Sequence, residues 1–374
     1  MSTPERLVQI LTNKGALWPG SPWADSVAQV PRELFVPGIV ETDGRTIDRD
    51  QTPERWMRVV YGDLPLVTQV NEGRELGGDA YQRPTSSSSM PSIMLEMLDL
   101  LDAQPGQRVL EVGAGTGYNA ALLSHRLGSA SVTTVDIDGV LVEQAEKNLT
   151  TAGYSPRVAR GNGQEGWAAD APYDRLIATY TVSEIPYAWI EQTPAGRIVA
   201  PWGGTFHPYS YATLDVADGK ATGRFSGRPA FMRSRAERSG GGYCRDFQHH
   251  LDDGTPSKTS LCPQDLVHDA DALFFVGLAL TDTWHHVGNA DDGSDEFTWW
   301  IFANDKSSWA TAEYVPGQEA YEVDQYGPRN LWDEAHAAYR LWEGLGKPGR
   351  ERAGLTITRQ GQRIWLDSPG NIIH

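Results

Sequence analysis

Val109-Leu110-Glu111-Val112-Gly113-Ala114-Gly115-Thr116-Gly117 is the stretch on which the reading of this chain turns. Its first residues form an apolar run broken by a single acid, the pattern of a strand buried on both faces. The glycines that follow let the backbone turn sharply and come close to a ligand. Tyr118-Asn119-Ala120-Ala121-Leu122-Leu123 then opens a helix that Gly128 ends. The theme continues with a strand ending at Asp136, a helix stopped at Gly153, and further strands at 156–160, 173–180 and 197–201. Upstream, Ser92 to Leu101 reads as a helix leading into the first strand. Strands alternating with helices at this spacing predict an α/β, Rossmann-like fold with a parallel sheet covered on both faces.

Around this centre the signals differ. Ser2-Thr3-Pro4-Glu5 predicts a capped helix start, and Ser21-Pro22 a second. Residues 38–84 are rich in charged and turn residues, which predicts loops with short strands. Beyond Gly203 the style becomes that of hairpins, with Asp218-Gly219 at one turn. The chain is thus divided into an N-terminal helical and loop segment (1–84), a cofactor-binding domain (85–235) and a mixed α+β C-terminal domain (236–374), with Glu237–Tyr243 as the boundary. In the last part Trp332, Ala335, Tyr339 and Trp342 share one helix face, a buried stripe, and Leu355–Leu366 predicts a closing hairpin.

The glycine turn has the spacing E-x-G-x-G-x-G. Dinucleotide enzymes use G-x-G-x-x-G because a pyrophosphate sits on the helix N-terminus. Here Glu111 precedes the first glycine by two residues, where it would repel a pyrophosphate and favour a cation. S-adenosylmethionine, with an ammonium, a sulfonium and no phosphate, fits that arrangement. Asp136 and Ile137 end the next strand, where a carboxylate can accept from ribose hydroxyls. Asn162-Gly163 follows the third strand, where a short amide can meet the adenine amine. The candidate cofactor residues are Glu111, Gly113, Ala114, Gly115, Gly117, Asp136, Ile137, Asn162 and Gly163.

Composition narrows the partners. The 374 residues carry a net charge of −17 with 40% apolar residues. An acidic chain lacks the basic footprint of a nucleic-acid binder, and no apolar run approaches the roughly 20 residues that span a bilayer. Neither a signal-peptide pattern nor a disulfide framework is visible, since Cys244 and Cys262 are the only cysteines. A cytoplasmic protein is expected. Those cysteines with His249, His250, His268, His285 and His286 show no metal-ligand spacing, so no metal is expected. The acidic run Asn289–Glu296 lacks a calcium-loop pattern and reads as a solvated loop.

Several segments in order resemble the protein-L-isoaspartate O-methyltransferases, over about residues 22–235. They are Val30-Pro31-Arg32-Glu33-Leu34-Phe35-Val36-Pro37, Tyr61-Gly62-Asp63-Leu64-Pro65-Leu66, Ser89-Met90-Pro91, the glycine turn itself, Gly161-Asn162-Gly163, and Arg197-Ile198-Val199-Ala200-Pro201-Trp202-Gly203. The resemblance implies that the Ser89 hydroxyl contacts a substrate carboxyl; Ser88 and Thr179 are further candidates for the catalytic cleft. Asn162 departs from the acid usual at its position. The serine run Ser86–Ser89 together with the Trp-rich extension, which holds seven of the 13 tryptophans, is similar to a branch that modifies ribosomally made peptides. That resemblance implies methylation of an Asp side chain in a precursor or macrocyclised peptide, then closure to an aspartimide that either persists or opens to isoaspartate. The alternatives are a protein-L-isoaspartate repair methyltransferase with a fused domain and a non-catalytic S-adenosylmethionine-binding module. The C-terminal domain would hold that peptide.

Overall fold

The computed structural model describes residues 3–74, 82–206, 209–237 and 244–374. Residues 238–243 of the expected boundary, Ser2 of the expected cap and the His249 side chain lie outside the described residues. The chain opens with α1 (Pro4–Asn13), α2 (Ala24–Gln29), β1 (Ile39–Thr42), β2 (Arg45–Asp48), α3 (Pro53–Val60), β3 (Leu66–Val70) and β4 (Pro84–Ser88). Helix α3 lies in the stretch expected to be loop and strand. Its signals are local: Thr52-Pro53 starts it, and Trp56 and Val60, one turn apart, are its buried face. The four strands form an antiparallel sheet in the order β2-β1-β3-β4. Ser86, Ser87 and Ser88 of the serine run therefore lie on an edge strand, with Ser89 just past its end.

The centre follows as α4 (Pro91–Leu101), β5 (Val109–Val112), α5 (Tyr118–Leu127), β6 (Val132–Asp136), α6 (Gly139–Thr151), β7 (Arg157–Arg160), β8 (Arg175–Ala178), α7 (Tyr187–Gln192), β9 (Arg197–Trp202), β10 (Ser210–Ala217) and β11 (Lys220–Ser226). Helix α4 buries Met94, Leu95, Met97, Leu98 and Leu101, each contributing about 1.5–3 kcal/mol of gross hydrophobic stabilisation. It has no side-chain cap of its own at Met90. Asp63 supplies one from a distance, its Oδ1 accepting from Ser92 N–H at 2.9 Å. Strands β7, β6, β5, β8 and β9 are parallel. The order reverses between β5 and β8, and a ligand crevice forms at such a switch point in open α/β sheets. Asp218 and Gly219, both with positive φ, make the β10–β11 turn.

The C-terminal part contains β12 (Thr255–Thr259), α8 (Pro263–Val267), α9 (Ala270–Ala279), β13 (Thr283–Asn289), β14 (Phe297–Ala303), β15 (Trp309–Tyr314), β16 (Tyr321–Tyr326), α10 (Leu331–Gly344), β17 (Ala353–Thr358) and β18 (Gly361–Leu366). Strands β12–β16 form a separate antiparallel sheet. Trp332, Ala335, Tyr339 and Trp342 are buried on α10, as their spacing predicts. The last hairpin goes elsewhere: β17 pairs with β11, so β17 and β18 complete the central sheet at nine strands.

Neither expected boundary separates the elements. The 84/85 division runs through β4, and α1–α3 share one core with α4 and α5, in which Leu7, Trp23, Phe35 and Trp56 meet Leu98 and Tyr118. The 235/236 division leaves the last two strands of the central sheet on the far side. Pairing across long sequence separation decides both cases, and no local pattern announces it. A second core joins the central sheet to the C-terminal one, where Trp202, Phe225 and Phe274 pack ring against ring. Beside it the buried Arg350 pairs with Asp271 at 2.7 Å.

Candidate active site

The loops after β5, β6, β7 and β8 meet β4 and a strap, Phe231–Ala236, around one cleft. Eleven of the twelve expected site residues line it: Ser88, Ser89, Glu111, Gly113, Ala114, Gly115, Asp136, Ile137, Asn162, Gly163 and Thr179. Gly117 does not. It begins α5 at φ +93, and a Cβ there would press on Leu149 and Ala145 at 3.3–3.4 Å, so its lack of a side chain serves the contact between α5 and α6.

The cofactor side is tied together by its own backbone. Gly113 has φ +103, and a Cβ on it would stand 2.4 Å from Thr179 Oγ1. That hydroxyl instead donates to Gly113 O at 2.6 Å, so Thr179 braces the turn. Asp136 Oδ2 accepts from Gly115 N–H at 2.9 Å, and Oδ1 from Asp138 N–H at 3.0 Å. Burial raises the Asp136 pKa above the usual carboxylate range. Asn162 Oδ1 accepts from Gln164 N–H at 3.1 Å. Ile137, half exposed, presents an apolar surface beside it.

Glu111 lies beneath the turn. It has no solvent exposure; Oε1 accepts from Asn119 Nδ2 at 2.8 Å and Oε2 from Thr134 Oγ1 at 2.6 Å. Burial pushes its pKa up to about 7 against those two bonds, with Asp136 adding repulsion. The Asn119 amide thus ties the buried Glu111 carboxyl to the cleft lining. Asn119 and Tyr118 were missed in the sequence, although both follow the glycines directly. Asn119 Oδ1 and Tyr118 Oη are buried with no hydrogen-bond partner among the described residues, and both residues line the cleft.

These features fit S-adenosylmethionine. The open side of the turn offers acceptors, with Asn119 Oδ1 lacking a donor that an ammonium would supply. Gly115 leaves room where a Cβ would point toward Ser86 Oγ, 3.7 Å away. Asp136 and Asn162 can take further donors, and Ile137 can pack against a flat ring.

On the opposite side is the serine strand. Ser86 Oγ accepts from Thr68 Oγ1 at 3.0 Å. Ser88 is buried, its Oγ accepting from Arg32 at 3.1 and 3.3 Å. Ser89 is partly exposed, and its hydroxyl has no hydrogen-bond partner among the described residues. The strap closes the cleft: Thr181 exchanges backbone bonds with Met232 and Ser234 at 2.8 Å. From it Arg235 reaches Asp138 Oδ2 at 3.0 Å and Gln69 Oε1 at 3.2 Å.

Among the described residues no cluster of three or more His, Cys, Asp or Glu could hold a metal, and no helix is long and apolar enough to cross a membrane. The parallel sheet, its switch-point cleft and the glycine turn define a class I S-adenosylmethionine-dependent methyltransferase fold. The family model for protein-L-isoaspartate(D-aspartate) O-methyltransferase matches residues 3–222, and the chain belongs to that family. The protein-L-isoaspartate O-methyltransferase of Methanopyrus kandleri is 31% identical over 232 residues, covering 61% of this chain and 89% of the relative. A second relative, protein-L-isoaspartate O-methyltransferase 2 of a Polaromonas species, is 42% identical over 182 residues, 48% of this chain and 71% of its own. A solved protein-L-isoaspartate O-methyltransferase, 21% identical, superposes with a TM-score of 0.55, covering 98% of this chain and all of its own. The fold likeness to that one solved chain therefore includes residues 236–374.

Proposed function

We propose that this chain methylates an aspartyl-type carboxylate of a peptide, and that the carboxylate is an Asp side chain in a dedicated, ribosomally made and macrocyclised peptide. The ester then closes on the next backbone amide as an aspartimide, which can open to isoaspartate. The observation that carries the reading is that β4 lies against the glycine turn, so serine hydroxyls and cofactor loop face one cleft. Bound S-adenosylmethionine supplies a methyl group on sulfonium, which a carboxylate oxygen takes while the C–S electron pair returns to sulfur. A carboxylate is already a nucleophile at neutral pH, so the protein has no proton to move. Its work is placement and exclusion of water. Ser89 donates to the carboxylate, Ser88 supports it, and the strap covers it. Hydroxyls hold the carboxylate without quenching it as a direct ammonium contact would.

The choice of a dedicated peptide rests on the serine run and on residues 236–374, which we assign to peptide binding. A hollow between Ser183, Tyr187, Arg359 and Gln362 continues from the strap toward the β17–β18 turn. A second reading, general isoaspartyl repair, is favoured by the names of the relatives and by the solved structure that spans the extension. Mass spectrometry of S-adenosylmethionine reactions separates the two. Methyl gain followed by methanol loss only on a cyclised peptide supports the dedicated reading. Turnover of a linear isoaspartyl peptide returns the chain to repair, and turnover of neither removes both.

A further inference from the structure

Arg32 lies next to Glu33 in the Val30–Pro37 segment, and the fold buries Arg32 completely. The guanidinium donates to Val60 O at 3.0 Å, Gly62 O at 3.1 Å and Leu64 O at 3.2 Å. Nη2, which makes the Leu64 contact, also lies within hydrogen-bond distance of Ser88 O at 3.3 Å, Ser89 O at 3.0 Å and Ser88 Oγ at 3.1 Å. The Tyr118 ring lies 5.7 Å away. No carboxylate is within ion-pair distance of it among the described residues; nearby Asp63 bonds Lys14 and Ser92 instead. Removing a cation from water without a counter-ion is costly, and here carbonyl dipoles and one hydroxyl are the partners it finds.

The placement has two chemical consequences. A guanidinium is donor-only, so Ser88 Oγ presents lone pairs to Arg32 and its own hydrogen is left over. That hydroxyl donates to nothing among the described residues. The Ser88 and Ser89 carbonyls, which would repel an anion, are drawn back onto the same group. What remains on the cleft side is hydroxyl hydrogens with a positive charge directly behind them.

We propose that Arg32 is a positioning residue that makes this end of the cleft a carboxylate site: it orients Ser88 and Ser89 as donors and supplies the charge that an incoming carboxylate completes. The inference rests on the assignment of that end to the substrate carboxylate. Burial lowers the Arg32 pKa to about 10, which leaves it cationic at neutral pH. Lysine cannot replace it, because one ammonium cannot serve at once the acceptors that Nη1 and Nη2 reach separately.

The test is calorimetry on the full chain saturated with S-adenosylhomocysteine. The probes are a linear peptide with one isoaspartyl residue and the same peptide with that carboxyl as a carboxamide. Wild type should prefer the carboxylate by about 30-fold, the scale of charge-assisted hydrogen bonds. R32K and S88A should each cut the preference to about threefold, with the double variant no worse than either single and S-adenosylhomocysteine affinity unchanged. Additive effects, or a fall in S-adenosylhomocysteine affinity in step with peptide binding, would reduce Arg32 to a structural residue. A wild type that does not discriminate overturns the proposal. If R32K does not fold, S88A decides, since retention of the preference there also overturns it. A discriminating wild type that transfers no methyl group leaves Arg32 in place and removes the catalytic reading.

Discussion

The two walls of the cleft are built by opposite means. On the cofactor wall, Gly113, Gly115, Asp136, Asp138 and Thr179 bond to one another's backbone across neighbouring parallel strands. On the serine wall, β3 and β4 are held from behind by Arg32 and from the side by Arg235, residues far away in sequence. The first wall derives its shape from conformations that only glycine adopts easily. The second derives its shape from cations that satisfy many acceptors at once. Damage should therefore look different on each side: backbone strain on one, loss of orientation on the other.

The largest effect is expected from Gly113→Ala. A Cβ there meets Thr179 Oγ1 while φ lies at +103, a combination costing about 3 kcal/mol. S-adenosylmethionine affinity measured by calorimetry should fall about 100-fold. Adding Thr179→Ala removes the clash but not the φ penalty, so it should restore part of the loss and no more. Full restoration would mean that the turn is less dependent on its conformation than the comparison holds.

Glu111 gives the cofactor wall a pH dependence that the serine wall lacks. Its pKa stands near 7 in the fold against 4.5 for a free side chain. A carboxyl raised on folding binds more protons folded than unfolded, so its contribution is fully present below about 4.5 and is lost as pH rises through 7. The span corresponds to about 3 kcal/mol. Melting temperature should decline between pH 5 and 8, and Glu111→Gln should flatten that decline. An unchanged slope in the variant would place the ionised form of Glu111 in the fold at all these pH values.

Ser89→Ala probes the other wall at its surface. With one donor to a carboxylate removed, kcat/KM for the peptide should fall about tenfold, with S-adenosylmethionine affinity unaltered. Equal losses in both would mean that the walls are not independent.

That the first wall was legible in local patterns, while of the second the sequence showed Ser88 and Ser89 but not what holds them, follows from the same contrast. Glycine spacing, the acid at Glu111, the strand end at Asp136 and Asn162-Gly163 are local patterns, and the structure brings them to one cleft. The Asp218-Gly219 turn and the α10 stripe are local too. Arg32 sits in a recognisable segment, but nothing within that segment says that Ser88 is its partner. The strap at 231–236 carries no motif, and the addition of β17 to β11 joins residues such as Ala221 and Ile357 that lie far apart in the chain. Helix α3 was a different failure: its Pro53 start and the Trp56–Val60 spacing were present, masked by charged neighbours.

Arg235 is the joint between the walls, and the smallest effect is expected there. It pairs with Asp138, which caps α6 on the cofactor side, and with Gln69 on the serine side, while Gln69 Nε2 donates to the same Asp138 oxygen at 2.9 Å. A half-buried pair of this kind contributes about 1 kcal/mol, and Gln69 retains the bridge when the cation is removed. Arg235→Gln should therefore speed S-adenosylmethionine release in stopped flow by only about fivefold, and wild-type release should rise with salt where the variant's does not. Because the strap remains pinned to Thr181, the serine wall keeps its orientation and carboxylate preference should persist. Loss of that preference in Arg235→Gln would show that the strap, rather than Arg32, sets the geometry of the second wall.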